Sequence, residues 1–437
     1  MACRGENHKP SITVVDAAMG TGKSSWVFKT LNDSVSFLDT GERYLYAAPL
    51  LTECERIHNA CPTLHFKQPI PIGGSKTNHL NSLILDNENI ATTHQLLREI
   101  SLETRDALEL SHYTLIIDEE PVLVEEAVIS TGDITVLFES EMVTVTSLNR
   151  LKWNSIKYPS YTGKFETIKK LCDNGKLVFV NDKLLIWELP IEILSLFKKV
   201  IVLTYLFEGS FMSCYLHGYD VDYEKKTLDE NGNLVDGSYT EHEDLIKEQV
   251  RNMVTIVDSP SLNKIGEPKG NRRPLSSTWY KQASEADLKK LRNNLRNLFK
   301  NVHKTPSGKT LWTSFAFKKN SLKGKGYTKG FLSYNTKATN EYGDRESLAF
   351  CVDVYLRPRL KQYFTSIGKT PDEDLYALSI LLQWVFRSRI RNGQPITIYI
   401  PSRRMRQLFK DWLKTENHGK QKELVRPRAF NATKHAA

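Results

Sequence analysis

Lys23 and Ser24 close the segment Ala17-Ala18-Met19-Gly20-Thr21-Gly22-Lys23-Ser24, a Walker A pattern in which Ala stands at the first Gly position. The residues before it read as an apolar strand and those after it as a helix, the context that phosphate chemistry demands. Backbone N–H groups around Gly20, Thr21 and Gly22 can cradle an anion at the helix N-terminus, while the Lys23 ammonium reaches β- and γ-phosphates and the Ser24 hydroxyl ligates Mg²⁺. Gly20 and Gly22 permit close backbone approach. Further along, Leu115-Ile116-Ile117-Asp118-Glu119-Glu120-Pro121 is an apolar run ending in carboxylates. Asp118 is suited to hold Mg²⁺ through its water shell, and Glu119 to orient and deprotonate an attacking water. The two segments together predict hydrolysis of a nucleoside triphosphate, with ATP and Mg²⁺ as cofactors.

These residues need a scaffold, and the surrounding pattern supplies one. Strands are expected at Ile12–Val15, Tyr44–Ala48, Tyr113–Ile117 and Val200–Thr204, with a helix near Ser24–Leu31. Short β-branched runs bounded by polar turns suit a parallel sheet, and their alternation with helices implies a doubly wound α/β domain. We place this domain at 1–216. From 217 to 277 the texture changes to turn chemistry (Asp229-Glu230-Asn231-Gly232) and a Gly/Pro/basic stretch (Gly266 to Pro274), which reads as a linker with a small insertion. A second α/β domain is expected over 278–414. Its first helix has a capping box at Ser284 and Asp287, with Leu288, Leu291, Leu295 and Leu298 at helical spacing. Strands are expected at Thr310–Phe315, Gly330–Tyr334 and Ile396–Ile400, and helices over Asp374–Arg391 and Arg403–Leu413. Residues 415–437 read as a basic, loosely ordered tail.

At 437 residues with 40% hydrophobic and 25% charged side chains, the chain has ordinary globular composition, which excludes fibrous and largely disordered classes. No run reaches the roughly 18 apolar residues of a membrane span, and the N-terminus lacks a signal-peptide core, so a cytoplasmic location without membrane association is expected. The six cysteines form no C-x-x-C pair, indicating neither a disulfide framework nor a zinc site. The net charge of +9 is unevenly placed: residues 1–218 carry −7 and residues 219–437 carry +16. Such a split points to a polyanion partner, held mainly by the C-terminal half through phosphate contacts.

With the Walker pair in place, the chain resembles the superfamily 2 helicases (DEAD/DEAH-like), and in particular helicases encoded by phages, prophages and mobile elements. Ala47-Ala48-Pro49-Leu50-Leu51-Thr52-Glu53 is similar to motif Ia, and Ala91-Thr92-Thr93-His94-Gln95 to the threonine-rich segment that follows it. The resemblance implies that Pro49, Thr52, Thr93 and His94 touch the nucleic-acid backbone. Val202-Leu203-Thr204-Tyr205 sits where motif III couples hydrolysis to movement, with Thr204 the matching residue. Leu311-Trp312-Thr313-Ser314-Phe315 resembles motif IV, and Phe331 to Tyr342 occupies the slot of motif V, giving Thr339 and Asn340 as backbone contacts. Gln383-Trp384-Val385-Phe386-Arg387-Ser388-Arg389-Ile390-Arg391 resembles motif VI. Phe386 stands where the family has Gly, and Arg391 comes one position late, leaving Arg389 and Arg391 as alternatives for the second contact. On a continuous helix Gln383, Arg387 and Arg391 fall at i, i+4 and i+8 and share a face. The resemblance then implies that Arg387 is the arginine finger.

The resemblance implies two RecA-like P-loop NTPase domains clamping ATP·Mg²⁺ between them in a DNA-dependent helicase or translocase. The setting would be replication or recombination of a phage or mobile element. A phage packaging (terminase-like) ATPase with a C-terminal nuclease, drawing on Asp353, Asp372, Glu373 and Asp374, and a nucleotide-switched DNA-binding adaptor or replication-initiation protein are the alternatives.

Overall fold

The computed structural model describes residues 10–34, 42–237, 241–270, 272–336 and 341–414. Thr339, Asn340 and the basic tail lie outside the described residues.

The first lobe is built on a seven-stranded sheet. Its strands are β1 (Ser11–Asp16), β2 (Arg43–Ala48), β3 (Ile90–Thr93), β4 (Tyr113–Asp118), β10 (Lys199–Thr204), β11 (Glu224–Leu228) and β12 (Leu234–Asp236). The spatial order is β12-β11-β1-β10-β4-β2-β3, and every pairing except β11 with β12 is parallel. Burial on both faces explains why the central strands β1, β10 and β4 are rich in Val, Ile and Leu, whereas β11 and β12 at the edge are polar and partly exposed. Parallel register aligns the carboxyl ends: Asp16 pairs with Thr204 and Leu203 with Asp118. Asp118, Glu119, Thr204 and the loop that carries Lys23 and Ser24 therefore gather at the carboxyl ends of these strands, where α/β folds bind ligands.

Between β4 and β10 the chain makes an excursion that the sequence pattern did not reveal. It contains β5 (Val124–Glu126), β6 (Val143–Val145), β7 (Leu151–Trp153), β8 (Leu177–Val180) and β9 (Leu184–Glu188), arranged as a three-stranded antiparallel sheet and a hairpin. Ile134, Leu137, Trp153, Phe165 and Leu185 are part of a separate small core there.

The second lobe carries four parallel strands in the order β13-β16-β15-β14. These are β13 (Val254–Ile256), β14 (Thr310–Thr313), β15 (Ser347–Phe350) and β16 (Ile396–Tyr399). The stretch expected as a linker is instead divided between the two sheets: β11 and β12 extend the first and β13 edges the second. Its strands are only three to five residues long, so turn-rich flanks masked them. No strand forms over 330–334; Phe331 makes a single bridge to Trp312, and β15, unforeseen, takes the place beside β14.

The lobes are not separate bodies joined by a tether. The helix Pro358–Ser366 leaves the second sheet and buries Leu360, Tyr363 and Phe364 in the core of the first lobe. Tyr363 also donates to Glu188, which is fully buried and accepts further hydrogen bonds from Tyr219 at 2.7 Å and Arg150 at 2.9 Å. The next helix, Glu373–Val385, keeps contact with the first lobe at Gly209, where an added Cβ would come within 2.8 Å of the Leu375 backbone. Among the described residues no helix is long and apolar enough to cross a membrane.

Candidate functional site

The loop that follows β1 turns through Gly20 (φ +88°) and Gly22 (φ +86°), left-handed conformations that a side chain would strain, and runs into the helix Lys23–Ser34. That helix carries no acidic residue of its own in its first turn to compete with an anion at its positive end. Lys23 folds back along the loop, Nζ donating to the carbonyls of Ala17 at 2.5 Å and Ala18 at 2.9 Å. Thr21 closes the turn by donating to Ala18 at 2.9 Å. Burial pushes the Lys23 ammonium down to about 8, against the opposing pull of Asp16 and Asp118.

Asp118 ends β4 and is buried. Ser24 Oγ donates to its Oδ2 at 3.2 Å, and the fully buried Tyr46 donates to the same oxygen. Tyr46 lies opposite Ile116 in the β2–β4 register, so it projects from the same face as Asp118. Burial raises the Asp118 carboxyl above its ordinary range, which the Tyr46 hydrogen bond partly offsets. A hydroxyl and a carboxylate converging at a helix N-terminus make an oxygen-only donor set that suits a hard divalent cation such as Mg²⁺.

Glu119 comes next, with φ +62° and its N–H bonded to Leu203 at 3.1 Å. That backbone turn aims its carboxylate across the cleft at Arg387, whose Nη2 donates to Oε1 at 3.1 Å. Glu119 Oε2 and Arg387 Nε, both buried, have no hydrogen-bond partner. Buried polar atoms seldom stay unsatisfied. These two therefore leave one donor and one acceptor free at the cleft for a ligand atom or water to satisfy.

The second lobe meets this point through Gln383, Arg387 and Arg391, which line a cavity of about 330 Å³ together with Lys23, Ser24 and Asp118. They do not share one helix, contrary to the i, i+4, i+8 expectation. The helix stops at Val385: Arg387 and Ser388 make tightened i+3 backbone bonds, and Ser388 Oγ takes the Val385 carbonyl at 2.7 Å. Arg391 then arrives on a 3₁₀ turn, Arg389–Asn392. Arg389 turns away to Glu346 and to the Pro395 carbonyl within its own lobe, so Arg391 is the second arginine at the cavity.

Pro49 and Thr204 also line the cavity, Thr204 accepting from the Ala17 N–H at 3.1 Å. Thr52 is exposed on the first turn of the helix Leu51–Ala60, and Thr93 is half-buried at the end of β3. His94 is buried at the start of its helix, so the fold does not present its ring to a nucleic-acid backbone. Sequence reasoning missed Tyr46 and also Tyr205, which donates to Glu243 at 2.9 Å and accepts from Trp412 at 2.8 Å. Only their place beside Asp118 and Thr204 could have signalled them.

Residues 124–187 match the family model described as the YonV middle domain, and residues 248–413 match that of the YonV C-terminal Rossmann-like domain. The SPbeta prophage-derived uncharacterized protein YonV of Bacillus subtilis (strain 168) is 34% identical over 416 residues, spanning 93% of this chain and 99% of that protein. The chain belongs to the YonV family. The excursion between β4 and β10 is thus the YonV middle domain, and the second lobe is its Rossmann-like domain. Among solved structures, S. tokodaii Xpd4 is 13% identical with a TM-score of 0.41, covering 94% of this chain and 95% of that one. The DUF1998 helicase MrfA, solved bound to DNA and AMPPNP, is 12% identical with a TM-score of 0.31, covering 90% of this chain and 46% of that one.

Proposed function

We propose that this YonV-family chain is a nucleic-acid-stimulated NTPase that moves along DNA and separates its strands, with ATP and Mg²⁺ held between two RecA-like lobes. The observation that carries this reading is the approach of Arg387, from the second lobe, to Glu119 beside the Lys23 loop. In this reading Ser24 and Asp118 hold Mg²⁺, which supplies charge neutralisation to the bound triphosphate. The N–H groups of Gly20, Thr21 and Gly22 bind phosphate oxygens and Lys23 supplies their countercharge. Glu119 orients a water and accepts its proton, while Arg387 exchanges Glu119 for developing phosphate charge. That exchange would link hydrolysis to relative motion of the lobes, and we assign its transmission to Thr204, which accepts from the Ala17 N–H and lines the cavity. Pro49, Thr52 and Thr93 are assigned to the nucleic-acid backbone, as are Thr339 and Asn340.

The packaging-nuclease reading draws no support from the carboxylates it would use. Asp353 and Asp374 are both paired with Arg404, at 3.0 and 2.7 Å, and Asp372 caps the helix that follows it. The deciding experiment is phosphate release from ATP with and without single-stranded DNA, duplex DNA and RNA. Stimulation by DNA that is lost in Lys23→Ala supports the motor reading; DNA binding without turnover sinks it in favour of a switch.

A further inference from the structure

The 53 residues from 288 to 340 carry thirteen Lys or Arg and no Asp or Glu. Among the described residues in this stretch, Lys309 is the one cation with an ion-pair partner, Asp344 at 3.1 Å. Lys289, Lys290, Arg296, Lys319, Lys323, Lys325 and Lys329 are all exposed.

Two segments bring these charges onto one face. On the helix Glu285–Arg296, Lys289, Arg292 and Arg296 fall at i, i+3 and i+7, a stripe beside the buried leucines. Arg292 donates to the Ser321 carbonyl at 3.4 Å, and Tyr327 clamps the same junction by donating to Leu322 at 2.6 Å. The lysines of residues 318–329 therefore continue the helical stripe. This second segment leaves the carboxyl end of β14, the side on which parallel α/β sheets take ligands.

One aromatic side chain stands among the charges. Phe317 is 52% exposed, yet its ring is anchored 5.7 Å from Phe315, which packs in turn on Tyr280 and Tyr334. Unneutralised cations around a fixed, exposed ring suit a polyanion whose repeating units have flat faces. A membrane surface would need a broader apolar face than Phe317 and Val302, the two exposed large apolar residues of this stretch among those described.

We propose that the face formed by Arg296, Lys319, Lys323, Lys325, Lys329 and Phe317 grips one unpaired nucleic-acid strand, the cations on its phosphates and Phe317 stacked on a base. An unpaired strand is specified because a base within a duplex offers no free face to Phe317. This surface rests on the nucleic-acid partner proposed above but not on hydrolysis.

The test uses the full chain without nucleotide, titrated into fluorescently labelled oligo(dT) at several salt concentrations. Replacing Lys319, Lys323, Lys325 and Lys329 together by Gln should flatten the dependence of log affinity on log salt by about 3, from roughly 0.7 per lost phosphate contact. Phe317→Ala should weaken binding about fivefold or more at every salt concentration and leave that slope unchanged. Unchanged circular dichroism and melting temperature certify that both variants are folded. Unaltered affinity and slope in folded variants overturn the proposal, as does equal competition by duplex DNA or polyglutamate. If wild-type protein binds oligo(dT) as described but never hydrolyses ATP, the motor reading fails and this surface stands.

Discussion

Arg387 and Glu119, 268 residues apart in the chain, face each other across the cleft with guanidinium and carboxylate 3.1 Å apart. The contact joins a residue just past the end of a second-lobe helix to one in a left-handed turn just past β4 of the first lobe. Replacing Arg387 by Ala should leave nucleotide binding within a few-fold of wild type and slow turnover at least about 10³-fold. Single-turnover hydrolysis beside fluorescent-nucleotide binding checks this, and normal turnover would remove Arg387 from its role. Glu119→Gln should instead bind ATP and hold it unhydrolysed.

The pH behaviour of Lys23 gives a second expectation. Its ammonium is half-neutral near pH 8 because burial disfavours the charge, and bound phosphate would favour the charge again. Binding must then take up a proton near that pH. As pH rises above about 8 the apparent Kd for ATP should climb, approaching tenfold per pH unit. Calorimetry in buffers of different ionisation enthalpy reads the proton directly; a flat Kd from pH 7.5 to 9.5 would refute the burial argument.

Tyr46→Phe removes one hydroxyl and little else. Because that hydroxyl fixes the Asp118 oxygen shared with Ser24, the Mg²⁺ concentration for half-maximal hydrolysis should rise several-fold. The melting temperature should fall only slightly, since a single hydrogen bond contributes about 0.5–1.5 kcal/mol net. An unaltered Mg²⁺ requirement would leave Tyr46 as packing alone.

Glu188 is the junction of the middle domain, the first lobe and the helix Pro358–Ser366. Glu188→Ala strips partners from Arg150, Tyr219 and Tyr363 at once. Breaking a buried pair by removing one member costs about 3–5 kcal/mol, so denaturant unfolding should shift by that amount. A shift below about 1 kcal/mol would mean that water replaces the carboxylate without strain.

What the sequence made legible was local. A strand, a Gly turn and a helix within 25 residues announced the Lys23 loop, and an apolar run ending in Asp118-Glu119 announced its partner, because each is set by near neighbours. The Ser284 cap was equally readable: Ser284 Oγ accepts from the Asp287 N–H at 3.1 Å. The middle domain was not, since its strands are three to five residues long and its core pairs residues as distant as Ile134 and Leu185. The end of the helix at Val385 was hidden as well. Phe386, Arg387 and Ser388 have no strong helix-breaking character, and the stop depends on Ser388 turning its hydroxyl back onto a carbonyl. Tyr46 could be found only once β2 was placed beside β4.

The helix Pro358–Ser366 has a bearing on how the molecule can be taken apart. Because Leu360, Tyr363 and Phe364 complete a core that belongs to the other lobe, cutting the chain between the lobes leaves one fragment with an uncovered apolar floor and the other with a greasy overhang. Dissection into halves should yield aggregating pieces, and heating the intact protein should give a single calorimetric peak. Any relative motion that keeps this inserted helix seated in its floor, a tenon in its mortise, stops short of separating the lobes.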